Sequence, residues 1–379
     1  MLLGLAACSG GGSSEGATDE PAGATGTWED IRPAPIAGRT PAASEWTGKE
    51  MVVWGGGTCK ANPCQFANVE PLADGGAYTP STDTWRTIAP SPLTARRGVA
   101  SAWSGKELLI WGGGVGTAEV YSDGAAYDPA ADSWRPISPS PLAARTTNGA
   151  WTGREFVIWG GRDIVSTRYF ADGAAYDPAT DRWRAIPTPA LAARDRTTQD
   201  WTGKELVIWG GGTSEVAFGD GAAYDPVANQ WRTLPPSPLE ARFVEGHWSG
   251  KELLYWGGED WAQVFGDGAA YDPAANTWRP LAESPLSGRV STAQTWSGRE
   301  LLIWGGSRGT YNTFLGDGAA YDPATDRWRR LPSWEGRINA GQVPWTGREM
   351  LVWGGIVPTG APGRTVEIKS AADGRRYIP

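Results

Sequence analysis

The stretch "RFVEGHWSG" sets Arg242, Glu245 and His247 within six residues of one another. A guanidinium, a carboxylate and an imidazole are side-chain types used in acid–base catalysis, so this trio is the candidate catalytic group if the protein is an enzyme. His247 is the 1 histidine of the 379-residue chain, which removes most metal-dependent and histidine-base mechanisms at once. No nucleophile–base triad or cluster of metal-ligand types accompanies it. The "GGG" stretches lack the helix start and the lysine that a phosphate-binding loop needs. A lone histidine just before a strand tryptophan also fits a packed or hydrogen-bonded strand position. Cys59 and Cys64, separated by four residues, cannot complete a zinc site without a third Cys or a His beside them. In an exported protein a local disulfide pinning their loop is the better expectation. No metal and no cofactor is expected.

A second set of chemically capable residues is periodic. Arg39, Arg96, Arg145, Arg194, Arg242, Arg289 and Arg337 each precede a candidate strand. Strict repetition favours a structural role, in which each arginine pairs with an Asp or Glu of its own or the next unit, and arginine suits such fixed geometry.

These side chains are carried by a chain that writes one phrase seven times. "WTGKELVIWGG" from Trp201 returns as "WTGKEMVVWGG" from Trp46, "WSGKELLIWGG" from Trp103 and "WSGKELLYWGG" from Trp248, among others. The tryptophans of the "WGG" triplets, Trp54, Trp111, Trp159, Trp209, Trp256, Trp304 and Trp353, are 57, 48, 50, 47, 48 and 49 residues apart. A second phrase, "DGAAYDPATDRW" from Asp172, follows in variants each of the first six. The seventh copy, "DGRRYIP" from Asp373, stops before its tryptophan, and Trp28 in "TWEDIRPAP" supplies the missing one. Of 23 tryptophans only Trp261 and Trp334 fall outside the pattern, so the repeated ones are expected as apolar wedges between units.

A period near fifty residues marks propeller blades, each expected to be a four-stranded antiparallel sheet. Strand a ends near the first tryptophan, and "TGK" or "SGR" makes a tight turn. "ELVIW" is strand b, apolar on both pleat faces as suits a sheet sandwiched between neighbours. "GAAY" is strand c, "DPAT" a turn, and the third tryptophan lies on strand d. The prediction is an all-β, seven-bladed propeller over residues 27–379. Residues near 27–31 add the last strand to the C-terminal blade, since an open ring would leave unpaired edges.

The double glycine after strand b, the tyrosine on strand c and the tryptophan about seven residues later resemble the kelch family. Gly55-Gly56, Tyr78 and Trp85 are one such set, and Gly210-Gly211, Tyr224 and Trp231 another. The phrases look in particular like bacterial kelch proteins grouped with the galactose-oxidase central domain. The resemblance implies a binding or interaction module whose ligand, a peptide or an acidic glycan, sits over the mouth of the central channel. It also implies that the seven arginines ring that mouth and grip carboxylates bidentately, against the ion-pair reading above. The loops after the double glycine differ between blades and are expected on the same face. They carry Phe66, Tyr121, Tyr169, Phe170, Trp261, Phe265, Tyr311 and Phe314, which either bind or cover blade edges; Tyr169, Trp261 and Tyr311 are the binding candidates. Two alternatives remain: a carbohydrate epimerase similar to a sialic acid mutarotase, using Arg242, Glu245 and His247, and a purely structural envelope scaffold. Copper oxidase chemistry does not travel with the fold, because it needs two histidines.

Composition narrows the partners. A formal charge of −8 and a pI near 5.0 argue against nucleic acid. No run of eighteen apolar residues is present, so no helical span is expected. Leu5-Ala6-Ala7-Cys8 resembles a bacterial lipobox, with Cys8 the lipidation site. Residues 1–8 then read as a signal segment and 9–26 as a flexible Gly/Ser-rich tether. Only seven residues precede Cys8, and none is Lys or Arg, so the true start is expected upstream of Met1. The expectation is an extracytoplasmic, lipid-anchored protein that meets the membrane only through that lipid. It is monomeric, and its partner is a protein or glycan.

Overall fold

The computed structural model describes residues 24–59, 69–116, 118–309, 313–337, 343–359 and 367–379, and the regular elements among them are all β-strands. Six four-stranded antiparallel sheets follow one another along the chain. In the first, Ala43–Trp46, Met51–Trp54, Gly75–Thr79 and Thr84–Thr87 are strands a to d, paired in that order. The seventh sheet joins both ends of the chain: Thr27–Asp30 pairs with Gly374–Ile378, which pairs with Met350–Trp353. Its innermost strand is marked by the bridge between Trp345 and Met350, just after residues 338–342, which lie outside the described set. The protein is the seven-bladed propeller with four antiparallel strands per blade that the repeat predicts.

Local rules make each blade. Strand b is buried along its whole length, as in Leu108–Trp111, because both of its faces meet a neighbouring blade. Strand c opens on glycine because a Cβ on Gly75 would fall 2.4 Å from the Val53 carbonyl and 2.7 Å from Ile88 Cδ1. The Ile88 side chain fills that space instead. The turn from c to d holds Asp83 at φ 48°, and Asp132, Asp181, Asn229, Asn276 and Asp326 take the same left-handed conformation. Asp and Asn tolerate that region best among side-chain-bearing residues. Asp83 then accepts the Tyr78 hydroxyl at 2.9 Å and the Arg32 N–H of the preceding blade at 3.0 Å.

Between blades the tryptophans interlock. The "WGG" tryptophan of one blade meets the strand-d tryptophan of the next, as in Trp54–Trp134 at 5.9 Å, Trp111–Trp183 at 6.0 Å and Trp256–Trp328 at 5.9 Å between ring centroids. Trp304 meets Trp28 at 5.2 Å, and Trp353 meets Trp85 at 5.2 Å, so the pattern runs through the closure without a break. Each strand-d indole also donates to a carbonyl of the preceding blade: Trp134 to Ala89 at 2.9 Å, Trp183 to Ser138 at 2.8 Å, and Trp28 to Pro332 at 2.9 Å.

Trp28 therefore carries both the ring contact and the hydrogen bond that close the propeller. Trp28→Ala is expected to lower the unfolding free energy by about 3 kcal/mol, measured by urea denaturation, and to raise light scattering as the seventh blade's edge opens. An unchanged midpoint would mean that the ring is held shut without the N-terminal strand.

Candidate functional site

The seven periodic arginines stand where the chain passes from one blade to the next, and their side chains are 0–1% exposed. Each is held by the aspartate that opens the "DG" phrase of its own blade. Arg39 reaches Asp74 at 2.7 Å, Arg96 reaches Asp123 at 2.6 Å, and Arg145 reaches Asp172 at 2.7 Å. Arg194 pairs with Asp220 at 2.7 Å, Arg242 with Asp267 at 2.6 Å, Arg289 with Asp317 at 2.8 Å, and Arg337 with Asp373 at 3.0 Å. A further donor goes to the double glycine, as Arg96 Nη1 to the Gly112 carbonyl at 3.1 Å. The backbone faces the preceding blade: the Arg145 N–H donates to the Tyr121 carbonyl at 3.2 Å, and its carbonyl accepts from the Gly113 N–H at 2.9 Å. A ligand gripping these guanidinium groups would first have to break their carboxylate pairs. Arg39 beside Asp74 holds that carboxyl below its usual range.

Most loop aromatics close over these arginines. Tyr121 lies on Arg96 at 4.0 Å, Phe170 on Arg145 at 3.6 Å, Phe218 on Arg194 at 4.1 Å and Phe265 on Arg242 at 3.7 Å. Trp334 stacks on Trp304 at 4.7 Å and lies beside Arg337 at 4.6 Å. Tyr169 is half-buried, with the Arg162 guanidinium 5.5 Å from its ring, and Phe314 is half-buried. Cys8, Cys64, Phe66 and Tyr311 lie outside the described residues.

Trp261 differs from all of these. It is 51% exposed and sits at φ 78°, a left-handed conformation that is strained for a bulky residue and characteristic of functional positions. Its ring stands edge-on to Phe243 at 4.9 Å, and its indole donates to the Thr213 carbonyl at 3.1 Å. The exposed Arg196 lays its guanidinium 3.8 Å from the Phe243 ring and 4.5 Å from the Trp261 ring, and pairs with Glu259 at 3.3 Å. The result is a fixed aromatic and cationic platform spanning the loops of blades 4 and 5.

Below the platform run the inner strands of the same two blades, Thr198–Trp201 and Gly246–Trp248. Asp200 is enclosed, and burial pushes its carboxyl up to about 7. Glu245, just before the inner strand of blade 5, keeps an exposed surface; desolvation by the surrounding protein first, and the Asp200 charge second, push it up to about 7. Burial lowers His247 to about 4, so its imidazole is neutral at pH 7. Burial, and then Asp200, raise Tyr255 well above its ordinary value. Asp200 Oδ2, His247 Nε2 and the Tyr255 hydroxyl are buried without a hydrogen-bond partner. Of the sequence-derived trio, Glu245 and His247 thus stand at the inner strand of blade 5, whereas Arg242 is engaged by Asp267. Asp200 and Tyr255 were not among the sequence candidates. Their signal was present: strand b reads "LLYWGG" in blade 5, where the other six blades carry Val or Ile at the tyrosine position.

Glu45 is likewise pushed up to about 7 by burial, but the Ser101 hydroxyl donates to it at 2.9 Å. A groove of about 440 Å³ along residues 187–191 and 229–233 lies on the outer seam of blades 3 and 4. Its one charged group, Arg232, is bound to Glu205 at 2.6 Å, so it offers no free chemistry. No group of three or more metal-ligand side chains converges among the described residues.

Two overlapping stretches, residues 41–247 and 150–355, match the family described as the KLHDC2/KLHL20/DRC7 Kelch-repeats domain. No curated protein matches the chain.

Removing one partner of a buried pair leaves the other uncompensated. Arg145→Ser is expected to cost about 3 kcal/mol in urea denaturation, against less than about 0.5 kcal/mol for the exposed Arg308→Ser; equal effects would remove the clamp role. Asp200 gives a pH signature. Unfolded aspartate ionises near about 4, so the stability it contributes is complete below that pH and lost as pH rises through about 7. Asp200→Asn should therefore be more stable than the native protein at pH 8, by about 1–2 kcal/mol, and no more stable at pH 4.

Proposed function

The chain belongs to the KLHDC2/KLHL20/DRC7 Kelch-repeats domain family, and from that premise we propose that it is an interaction module holding a protein or peptide partner on the loop face of blades 4 and 5. The observation that carries this reading is Trp261: exposed, conformationally fixed, and backed by Phe243 and Arg196. Tryptophan and arginine on a rigid support are the side chains that dominate binding energy at interfaces. The acidic-glycan alternative drew on a ring of free guanidinium groups, and those groups are engaged by aspartates. We further propose that lipidation of Cys8 anchors a monomeric propeller outside the cytoplasm, with residues 9–26 as the tether. Cys59 contributes to the same face: its N–H donates to the Ser370 hydroxyl at 2.9 Å, and a disulfide to Cys64 would stiffen the loop between them.

One observation favours a second reading. Two carboxyls near pH 7, Asp200 and Glu245, are poised for proton transfer, as a sugar epimerase would require. Loss of sialic acid anomer exchange, followed by NMR, in Glu245→Gln would support that reading, and no turnover by the native protein would end it.

The test of the interaction reading is co-precipitation from cell-envelope extract with the native propeller, Trp261→Ala, and Val227→Ser. Val227 is 95% exposed on a c–d turn, at the opposite face. A partner retained by the native protein and Val227→Ser, and weakened at least about tenfold by Trp261→Ala, is expected. Equal retention by all three would place recognition elsewhere.

A further inference from the structure

We propose that the channel wall between blades 4 and 5 is a binding site for a primary ammonium group, held by Asp200 and Glu245 with the Tyr255 hydroxyl. This goes beyond the partner reading, because these groups meet at the seam of blades 4 and 5 and not on the loop platform.

The wall is built for a ligand. Tyr255 is 0% exposed, and its buried hydroxyl has only the Thr198 hydroxyl beside it, without a close, well-aligned hydrogen bond. The six aliphatic residues at its position in the other blades pose no such problem. Room for the ring comes from Gly246, where a Cβ would lie 2.8 Å from Tyr255 Cε1 and 2.2 Å from Asp200 Oδ2. The glycine thus brings the tyrosine and the carboxylate together across the blade boundary. Asp200 Oδ2 makes no well-aligned hydrogen bond, and among the described residues the Thr198 hydroxyl is the one donor that acts on this carboxyl. Most blades carry no carboxylate at the Asp200 position: Ala102 and Ala150 hold it in blades 2 and 3, His247 in blade 5 and Thr295 in blade 6. In blade 1 the equivalent Glu45 is answered by Ser101 at 2.9 Å.

The unpaired atoms select the ligand by type. The Thr198 hydroxyl stands beside both Asp200 and Tyr255 and can accept as well as donate. With the carboxyls of Asp200 and Glu245 the set is rich in acceptors and negative charge, so an anion is repelled and a donor-rich cation is favoured. Charge matters here because a buried carboxylate without a counter-charge is costly. A divalent metal does not fit, since the described residues bring no three metal-ligand side chains into reach of one ion. An ammonium is a compact charge with three donors, and Tyr255 can accept from it while its ring walls the site. Such a group comes either from a polypeptide lysine or from an amino sugar.

Isothermal titration calorimetry of the full propeller separates the possibilities. The probes are Nα-acetyl-lysine methylamide and glucosamine, each with its amine-acetylated counterpart as control. Binding of at least one amine, with its acetylated counterpart at least tenfold weaker, is expected, and the better probe identifies the source. Asp200→Asn should lose at least tenfold in affinity. Tyr255→Ile should do the same while restoring the residue type of the other blades, so its fold is secure; a thermal melt checks both variants. Val227→Ser should bind as the native protein does. No binding by either amine, equal binding of the acetylated forms, or undiminished affinity in Asp200→Asn and Tyr255→Ile would each overturn the proposal. Partner retention through Trp261 is read in a separate assay, so either reading can fail alone.

Discussion

Each blade is fastened to the ring by one arginine that binds in two directions. Its guanidinium pairs with an aspartate of its own blade, as Arg96 does with Asp123, while its backbone N–H and carbonyl bond to the blade before. A blade that slid or tilted would break both attachments together. The guanidinium is fully buried, but its aspartate stays 58% exposed in that pair, which spares one ion most of its desolvation cost. A loop aromatic covers the other side of the cation. The loops that face solvent are thereby fixed to the inner strands that face the channel, so the platform at Trp261 and the channel wall below it belong to one rigid sector.

Closure has the same logic at the outer edge. The tryptophan pairs run around the ring and include Trp304 with Trp28, so the N-terminal strand enters the seventh blade as a normal member. This is why the blade count was legible in the sequence. Trp28 has no repeat of its own, and the seventh repeat has no final tryptophan. Backbone rules were equally legible. Gly56 is required because φ is 95° and a Cβ would fall 2.0 Å from the Thr40 carbonyl.

The direction of the arginines was harder to read. Residue type and period are the same for a ring that grips a ligand and for a ring that grips aspartates. What decides is the position of the "DG" aspartate, 27 residues after Arg96 and again 27 after Arg145. The offset is 25 to 28 residues in blades 2 to 6 but 35 and 36 in blades 1 and 7, where the loop after the double glycine is longer, so only the folded path from strand a to strand c shows that each closes the same contact. Trp261 was found because it departs from the repeat. Asp200 and Tyr255 depart from it too, yet one lies in a variable strand and the other replaces an aliphatic residue with another large apolar ring. Only packing reveals that the buried Tyr255 hydroxyl is left with the Thr198 hydroxyl alone, without a well-aligned hydrogen bond.

A seven-fold scaffold makes such local departures tolerable. Contacts between blades are repeated, so the ring's cohesion does not depend on any single inner strand, and polar groups can be left unsatisfied in one sector without loosening the rest. In blade 5 the substitutions act together: glycine at 246 opens space, tyrosine at 255 enters it, and histidine at 247 and glutamate at 245 bring polarity to positions that are alanine in blade 2. Among the described residues every blade holds a buried side-chain atom without a partner, as at Trp54, Trp111 and Gln294, and the strands of blades 4 and 5 add Thr198, Gln199, Asp200, His247 and Tyr255 beneath the exposed and strained Trp261, the trade expected where a stable scaffold gives up local stability for recognition.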